Sequence, residues 1–439
     1  MPDPATILAA LDEDPDAPLD ELRRREDAWH STHRAEALWP GLDAARIQAA
    51  ADAIGAAVAG VLRGERTRLG IPSDDIDDER AVRALSVAGL LTGVGPLLGA
   101  WLERGELAAD APVARAFARH LAHGRAREAR IRAAVMPVLE AMARAGLEPG
   151  VIKGFHTAHG CFPEPGARPF ADVDVVVASE VIPRCEELLR EAGFLADARL
   201  GRTSYKREWH PPDGRGRVWS FELWHARSGW KLDLHDGLNF AEVLQNVRTP
   251  QIARLTERVS INDVTLRAPH PNESIALIAA HGSTELYSQR LLRLTELVLV
   301  TRRAAARGAL DWTAVEASLA ERESLRFAYP MLVLADRLAP GTVDAALLAR
   351  LRRASTWRAL AVTDALTPTA PVLDTQFSLR RRLMWAAGVR ATARRLWRMV
   401  APLEGADARG RLRTYRHRVI RLLSLALPSR FRRADRGDG

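Results

Sequence analysis

Asp172 and Asp174 stand two residues apart at the mouth of an apolar run, in Arg168-Pro169-Phe170-Ala171-Asp172-Val173-Asp174-Val175-Val176-Val177. Side chains of a strand alternate between faces, so residues i and i+2 leave from the same side. Both carboxylates would share one face, leaving Val173, Val175 and Val177 on the other to pack against helices. Such a pair can hold a divalent metal ion. With a third carboxylate on a neighbouring strand it would form the set needed for two-metal phosphoryl or nucleotidyl transfer. There one ion grips the triphosphate and leaving oxygens, and the other lowers the pKa of the acceptor hydroxyl. Mg²⁺ suits such a site because it takes oxygen ligands and keeps several waters. An isolated Asp-x-Asp also occurs as a solvated strand end, so its neighbours decide the matter.

Upstream, Gly150-Val151-Ile152-Lys153-Gly154 is an apolar approach that ends in Lys-Gly, followed by the turn-rich Pro163-Glu164-Pro165-Gly166-Ala167-Arg168. Downstream, Glu180 to Phe194 reads as an amphipathic helix, with Val181, Cys185, Leu188, Leu189 and Ala192 at helical spacing and Gly193 as its stop. Three further strand-like runs follow, at Thr203–Trp209, Val218–Trp224 and Trp230–Asp236, and Ala226-Arg227-Ser228-Gly229 makes a hairpin of the last two. In the third run Asp233 shares a face with Lys231 and His235, while Leu232 and Leu234 point away. Asp233 is therefore the leading third carboxylate, with Glu222 and Asp236 as alternatives.

The remaining polar groups have two readings each. Lys153 is a phosphate contact or a solvated strand end, and Arg168 is a phosphate contact or half of a salt bridge. His156 and His159 could cap, bond backbone or touch substrate, and His281 reads as a packing histidine. Trp209, Trp219, Trp224 and Trp230 read as core or groove wall.

These segments need a scaffold, and the 439 residues are enough for several packed units. The region 1–146 is rich in Ala, Leu, Arg and Glu with helical periodicity, as in Ile47–Arg63 and Val113–Ala145; Leu85–Leu102 is broken by the turn Gly93-Val94-Gly95-Pro96. Short β-like runs fill 147–266. Helices return over 267–367, where Pro271-Asn272-Glu273 caps the first of them. Pro368–Pro371 reads as a linker into a basic amphipathic tail, 368–439.

The net charge of +8 is uneven: from Phe377 onward 17 arginines face four acids, about +13, so the rest of the chain carries about −5. Guanidinium groups suit phosphate, but apolar residues from Leu379 to Leu427 interleave with them at helical spacing. The tail reads as packed amphipathic helices with a basic face, or as the contact for an anionic partner. Cys161 and Cys185, the two cysteines, belong to no zinc-like cluster and read as reduced thiols. No basic leader and no apolar run near 18 residues is evident, so the expectation is a cytoplasmic protein with no membrane span.

The sequence resembles the bacterial uncharacterised nucleotidyltransferase family, a branch of the DNA polymerase β-like nucleotidyltransferase superfamily. The resemblance lies in Val151-Ile152-Lys153-Gly154, Pro165-Gly166-Ala167-Arg168-Pro169, the Asp172–Val177 run, the helix ending Glu191-Ala192-Gly193-Phe194, the strand Leu232-Asp233-Leu234-His235 and the segment Pro269–His281. It covers about 85–335. It implies an α+β fold, a small mixed sheet backed by helices and set between the N- and C-terminal helical regions. It also implies Asp172, Asp174 and Asp233 as catalytic metal ligands, Mg²⁺ as the ion and a nucleoside triphosphate as donor. Much of the superfamily has a Gly-Ser pair before the aspartates that cradles the triphosphate. Lys153-Gly154 stands in that place here, so Gly154 amides and the Lys153 charge are the expected phosphate contacts.

The expected activity is transfer of a nucleoside monophosphate to a hydroxyl or phosphate acceptor, with pyrophosphate leaving. The acceptor is unspecified: a small molecule, peptide or saccharide would serve. Two rivals use the same residues differently: a catalytically silent binding module of the same fold, and a nucleic-acid-binding protein whose Arg-rich tail tracks phosphates.

Overall fold

The computed structural model describes residues 24–25, 28, 39–70, 79–197, 206–212, 225–236, 254–284, 286, 290–372, 383–386, 388–390, 392–393 and 396. The expected strand 218–224 with Glu222, Trp219 and Trp224, and most of the basic tail, lie outside these residues.

Helix α1 (Ala44–Leu62) begins where the Asp43 carboxylate accepts from the Arg46 amide, an N-cap of the ordinary kind. Strand β1 (Thr67–Leu69) follows, then α2 (Glu79–Thr92) and α3 (Gly95–Glu103), which meet at 113° where the Gly93–Pro96 turn was expected. Strand β2 (Leu107–Ala109) pairs with β1 in parallel. At 19 residues, α1 is long and apolar enough to cross a membrane, which corrects the expectation that no segment qualifies; Ile47, Ile54, Val58 and Leu62 are buried in the protein core.

Helix α4 (Ala111–Arg144) spans 34 residues, roughly 50 Å at 1.5 Å per residue. It serves two cores. Val113, Phe117 and Leu121 near its start join a helical core, and Ile131, Val135, Leu139 and Met142 near its end cover the sheet. Gly124 lets α4 run against the Gly166 carbonyl, where a Cβ would not fit.

The chain then enters β3 (Gly150–Ile152), α5 (Lys153–Cys161), β4 (Asp172–Val176), α6 (Ile182–Glu191), β5 (Leu195–Ala196), β6 (Lys206–His210), β7 (Lys231–His235), β8 (Glu257–Ile261) and β9 (Val264–Ala268). The seven strands β3–β9 form one mixed sheet in the order β5-β6-β7-β4-β3-β9-β8. β4 is parallel to β7 and antiparallel to β3. Asn262 and Asp263, both at positive φ, make the tight β8–β9 hairpin.

Alternation sorts the sheet faces. Val173, Val175, Leu232, Leu234 and Trp209 pack under α4 and α6. On the other face Ile152 and Val176 join the helical core. The carboxylate face is therefore turned toward the helices α7 (Pro271–Thr284), α8 (Arg290–Ala306), α9 (Trp312–Glu321), α10 (Leu325–Leu338), α11 (Ala345–Ala354) and α12 (Trp357–Asp364). A mixed sheet with abundant helix matches the expected α+β class.

Candidate active site

β4 supplies Asp172 and Asp174, and β7 supplies Asp233. In the parallel register Asp174 lies directly beside Asp233, and Asp172 beside Lys231. The expected pairing of β7 with 218–224 is corrected: both edges of Leu232–His235 are taken, by β4 on one side and β6 on the other. That brings Glu208 of β6 level with Asp233 on the same face, so Asp174, Asp233 and Glu208 form a row across three strands.

Ammonium groups neutralise this row. Lys153 Nζ donates to Asp174 Oδ1 at 3.0 Å, Lys206 Nζ to Asp233 Oδ2 at 2.7 Å, and Lys206 and Lys231 each reach Glu208 Oε1 at 2.7 Å. His235 Nε2 lies 2.7 Å from Asp174 Oδ1 and donates to it. Asp174 and Asp233 are all but fully buried, at 2% and 1% exposure, which raises the energy of any unpaired charge there. Asp172 is half-buried and, among the described residues, has no hydrogen bond or ion pair.

The electrostatics follow. Burial would raise the Asp174 carboxyl, but Lys153 and the His235 hydrogen bond outweigh it and hold the group far below the carboxylate range. Asp172 has burial and the charges of Asp174 and Asp233 against it, and is pushed up to about 7. Burial also works against the Lys153 ammonium, yet Asp174, Asp172 and Asp233 together keep its pKa above the lysine value.

Local backbone places these groups. Lys153 sits at φ +51°, a left-handed conformation that costs a side-chain-bearing residue about 1 kcal/mol. It turns β3 into α5 within one residue, and the Asp174 ion pair holds it there. Arg127, buried on α4, donates to the Phe170 carbonyl at 2.6 Å and to the Gly229 carbonyl at 3.0 Å. Those carbonyls lie two residues before Asp172 and Lys231, so one guanidinium ties together the entrances of both site strands.

Of the remaining expected phosphate groups, Lys153 is at the cluster and Arg168 is engaged elsewhere. Arg168 grips Glu296 of α8 through Nε at 3.0 Å and Nη2 at 2.7 Å, and donates from Nη1 to the Pro169 carbonyl at 2.8 Å. Thr157 also donates to Glu296. A Cβ at Gly154 would lie 2.7 Å from Arg168 Nη1, so Gly154 makes room for this guanidinium. His159 bonds the Phe155 carbonyl and Glu128. Cys161 and Cys185 are free, and burial pushes each thiol up to about 11. Trp209 and Trp230 are core residues, and His281 lies half-buried on α7.

The cluster fits a divalent cation by its donors. Asp174, Asp233 and His235 each offer a ligand atom, all within 4.8 Å of one another. Asp233 Oδ1 is buried and accepts no hydrogen bond, with Lys231 Nζ 3.2 Å away outside bonding geometry. The gathered set includes His235, whereas the expected set had Asp172 in that place. Lys206, Glu208, Arg127 and His235 had not been expected in the site, nor Glu296 as the partner of Arg168. Of these, His235 was visible on the Asp233 face, and the others depend on sheet order and long-range contacts.

A sheet face that buries paired aspartates and a histidine among lysines is a candidate cation site. The sequence model of the uncharacterised nucleotidyltransferase family matches residues 75–340, and the chain belongs to that family. Family membership points to a transferase acting on a nucleoside triphosphate. No curated protein and no solved structure matches the chain.

Proposed function

We propose that the protein transfers a nucleoside monophosphate from a nucleoside triphosphate to a hydroxyl or phosphate acceptor, releasing pyrophosphate, and that it uses Mg²⁺. The observation that carries this reading is the in-register pair Asp174 and Asp233 on an otherwise buried sheet face. Asp174 and Asp233 would hold the ion, with Asp172 free to complete the set as expected from the sequence. When bound, the ion would supply Lewis-acid neutralisation of phosphate charge and a lowered pKa for the acceptor hydroxyl.

The protein's own groups do the rest. Lys153, Lys206 and Lys231 place three ammonium charges beside the row, where they oppose the charge that builds on a triphosphate bound against this face. His235 fixes the orientation of the Asp174 carboxylate through its 2.7 Å bond. Arg127 holds the two strands in the register that keeps the aspartates adjacent. Residues 1–146, 147–266, 267–367 and 368–439 are proposed as helical region, transfer core, C-terminal helical domain and basic tail, within the wider superfamily of DNA polymerase β-like folds.

A second reading rests on the lysines. Three ammonium groups already balance most of the carboxylate charge, as a silent nucleotide-binding module would require. Product analysis separates the two: α-labelled triphosphate with Mg²⁺ should yield pyrophosphate and a labelled acceptor in a cell extract supplying acceptors. Binding of triphosphate without Mg²⁺ dependence, and with no pyrophosphate, would favour the module.

A further inference from the structure

Away from the carboxylates, α5, α8, the start of α7 and the β8–β9 hairpin enclose a pocket of about 280 Å³. Its polar lining includes His156, Arg258, Ser260, Ser274, Arg303 and Arg307, with Glu257 as its carboxylate. Arg303 in the last turn of α8 and Arg307 just past its end are four residues apart. Among the described residues neither side chain has a hydrogen bond or ion pair, whereas surface arginines such as Arg184, Arg190 and Arg350 each hold a glutamate. Arg258 reaches Glu148 at 3.6 Å. Like charges at i, i+4 oppose one another in a helix, although the dipole at the helix C-terminus favours positive charge there.

His156 is the second observation. Its Nδ1 is buried and has no hydrogen-bond partner, an unfavourable arrangement for a polar atom. Burial holds the ring neutral, with its pKa down at about 4. The pocket thus offers two uncommitted guanidinium groups and a third only loosely paired, beside Ser260, Ser274 and His156. Guanidinium forks match phosphate oxygens in geometry.

We propose that this pocket binds a small phosphate-bearing molecule, at a site separate from the Asp174–Asp233 row. The size commits it to a compact ligand, since sites for larger ligands begin at roughly 300 Å³. The proposal does not depend on the transfer reading. It draws on none of the residues of the carboxylate row, and the two sites share only helix α5.

The test is calorimetric titration of the full-length protein with glycerol 3-phosphate, and separately with inorganic phosphate, at low salt and without Mg²⁺. Wild type should bind both, and Arg303→Ala/Arg307→Ala should weaken binding at least tenfold while circular dichroism shows the helices retained, as alanine favours helix. Arg303→Gln/Arg307→Gln, which keeps side-chain length, should show the same loss. Triphosphate binding with Mg²⁺ should be unchanged in both variants. Absence of phosphate binding by wild type, equal binding by the variants, or parallel loss of triphosphate binding would each overturn the proposal.

Discussion

Asp174 and Asp233 lie side by side across the parallel β4–β7 pair, and each is neutralised by a different lysine, Lys153 and Lys206. The sheet register brings the two negative charges together, and the chain supplies the countercharge from a helix start and a neighbouring strand. Each of these links can be broken separately.

Asp174→Asn removes the partner of a mostly buried ammonium. Transfer should fall on the order of a thousandfold, since the pair is required for the ion and the phosphate charge. Stability should fall on the order of 2 kcal/mol, because Lys153 loses its acceptor. Adding Lys153→Met should restore much of the stability in denaturant titration without restoring activity. Restored activity would show that the pair is structural alone.

The Arg168–Glu296 pair joins the loop before β4 to α8, with both side chains buried. Glu296→Ala should cost about 3–5 kcal/mol, the usual result of stranding one member of a buried pair. Arg168→Met/Glu296→Leu should recover most of it, as measured by urea midpoint. If instead Glu296→Ala left stability intact and raised the Michaelis constant for triphosphate, Arg168 would belong with the phosphate contacts.

Arg127 acts through the strands it ties, by way of the Phe170 and Gly229 carbonyls. Arg127→Met should leave two carbonyls without a donor and cost about 2 kcal/mol. It should also lower the turnover number more than it changes the Michaelis constant, because the aspartates lose alignment. Arg127→Lys, lacking the fork, should rescue only partly.

His120 gives a pH signature. Burial pushes its ring down to about 3 from the ordinary 6.5, and its Nε2 lies 2.9 Å from Ser86 Oγ. Below pH 6.5 the unfolded chain binds a proton that the folded ring refuses. Stability should therefore be unaffected by this group above about 6.5 and fall as pH drops toward 3, by up to about 1.4 kcal/mol per pH unit. His120→Gln should flatten that slope in thermal melts at pH 5 to 7.

The sequence made the two-apart aspartates, the apolar strand around them and the facing of Asp233 with Lys231 and His235 legible, because all three follow from period-two alternation. The α6 helix and its Gly193 stop were legible for the same local reason. Glu208 and Lys206 were not, because their place depends on β6 lying beside β7, which alternation does not specify. Nor was Glu296, which pairs with a residue 128 positions away. The β8–β9 hairpin had a readable signal in Asn262-Asp263, flanked by Val259–Ile261 and Val264–Leu266. Lys153 at positive φ left no trace in the sequence, since lysine has no preference for that region.

The most direct measurement is calorimetric titration of wild type and Asp174→Asn with the four nucleoside triphosphates, each with and without Mg²⁺. Wild type should bind at least one triphosphate far more tightly with Mg²⁺, and Asp174→Asn, folded by circular dichroism, should lose the Mg²⁺-dependent part. Equal binding with and without Mg²⁺, unaltered in Asp174→Asn, would contradict the proposed function.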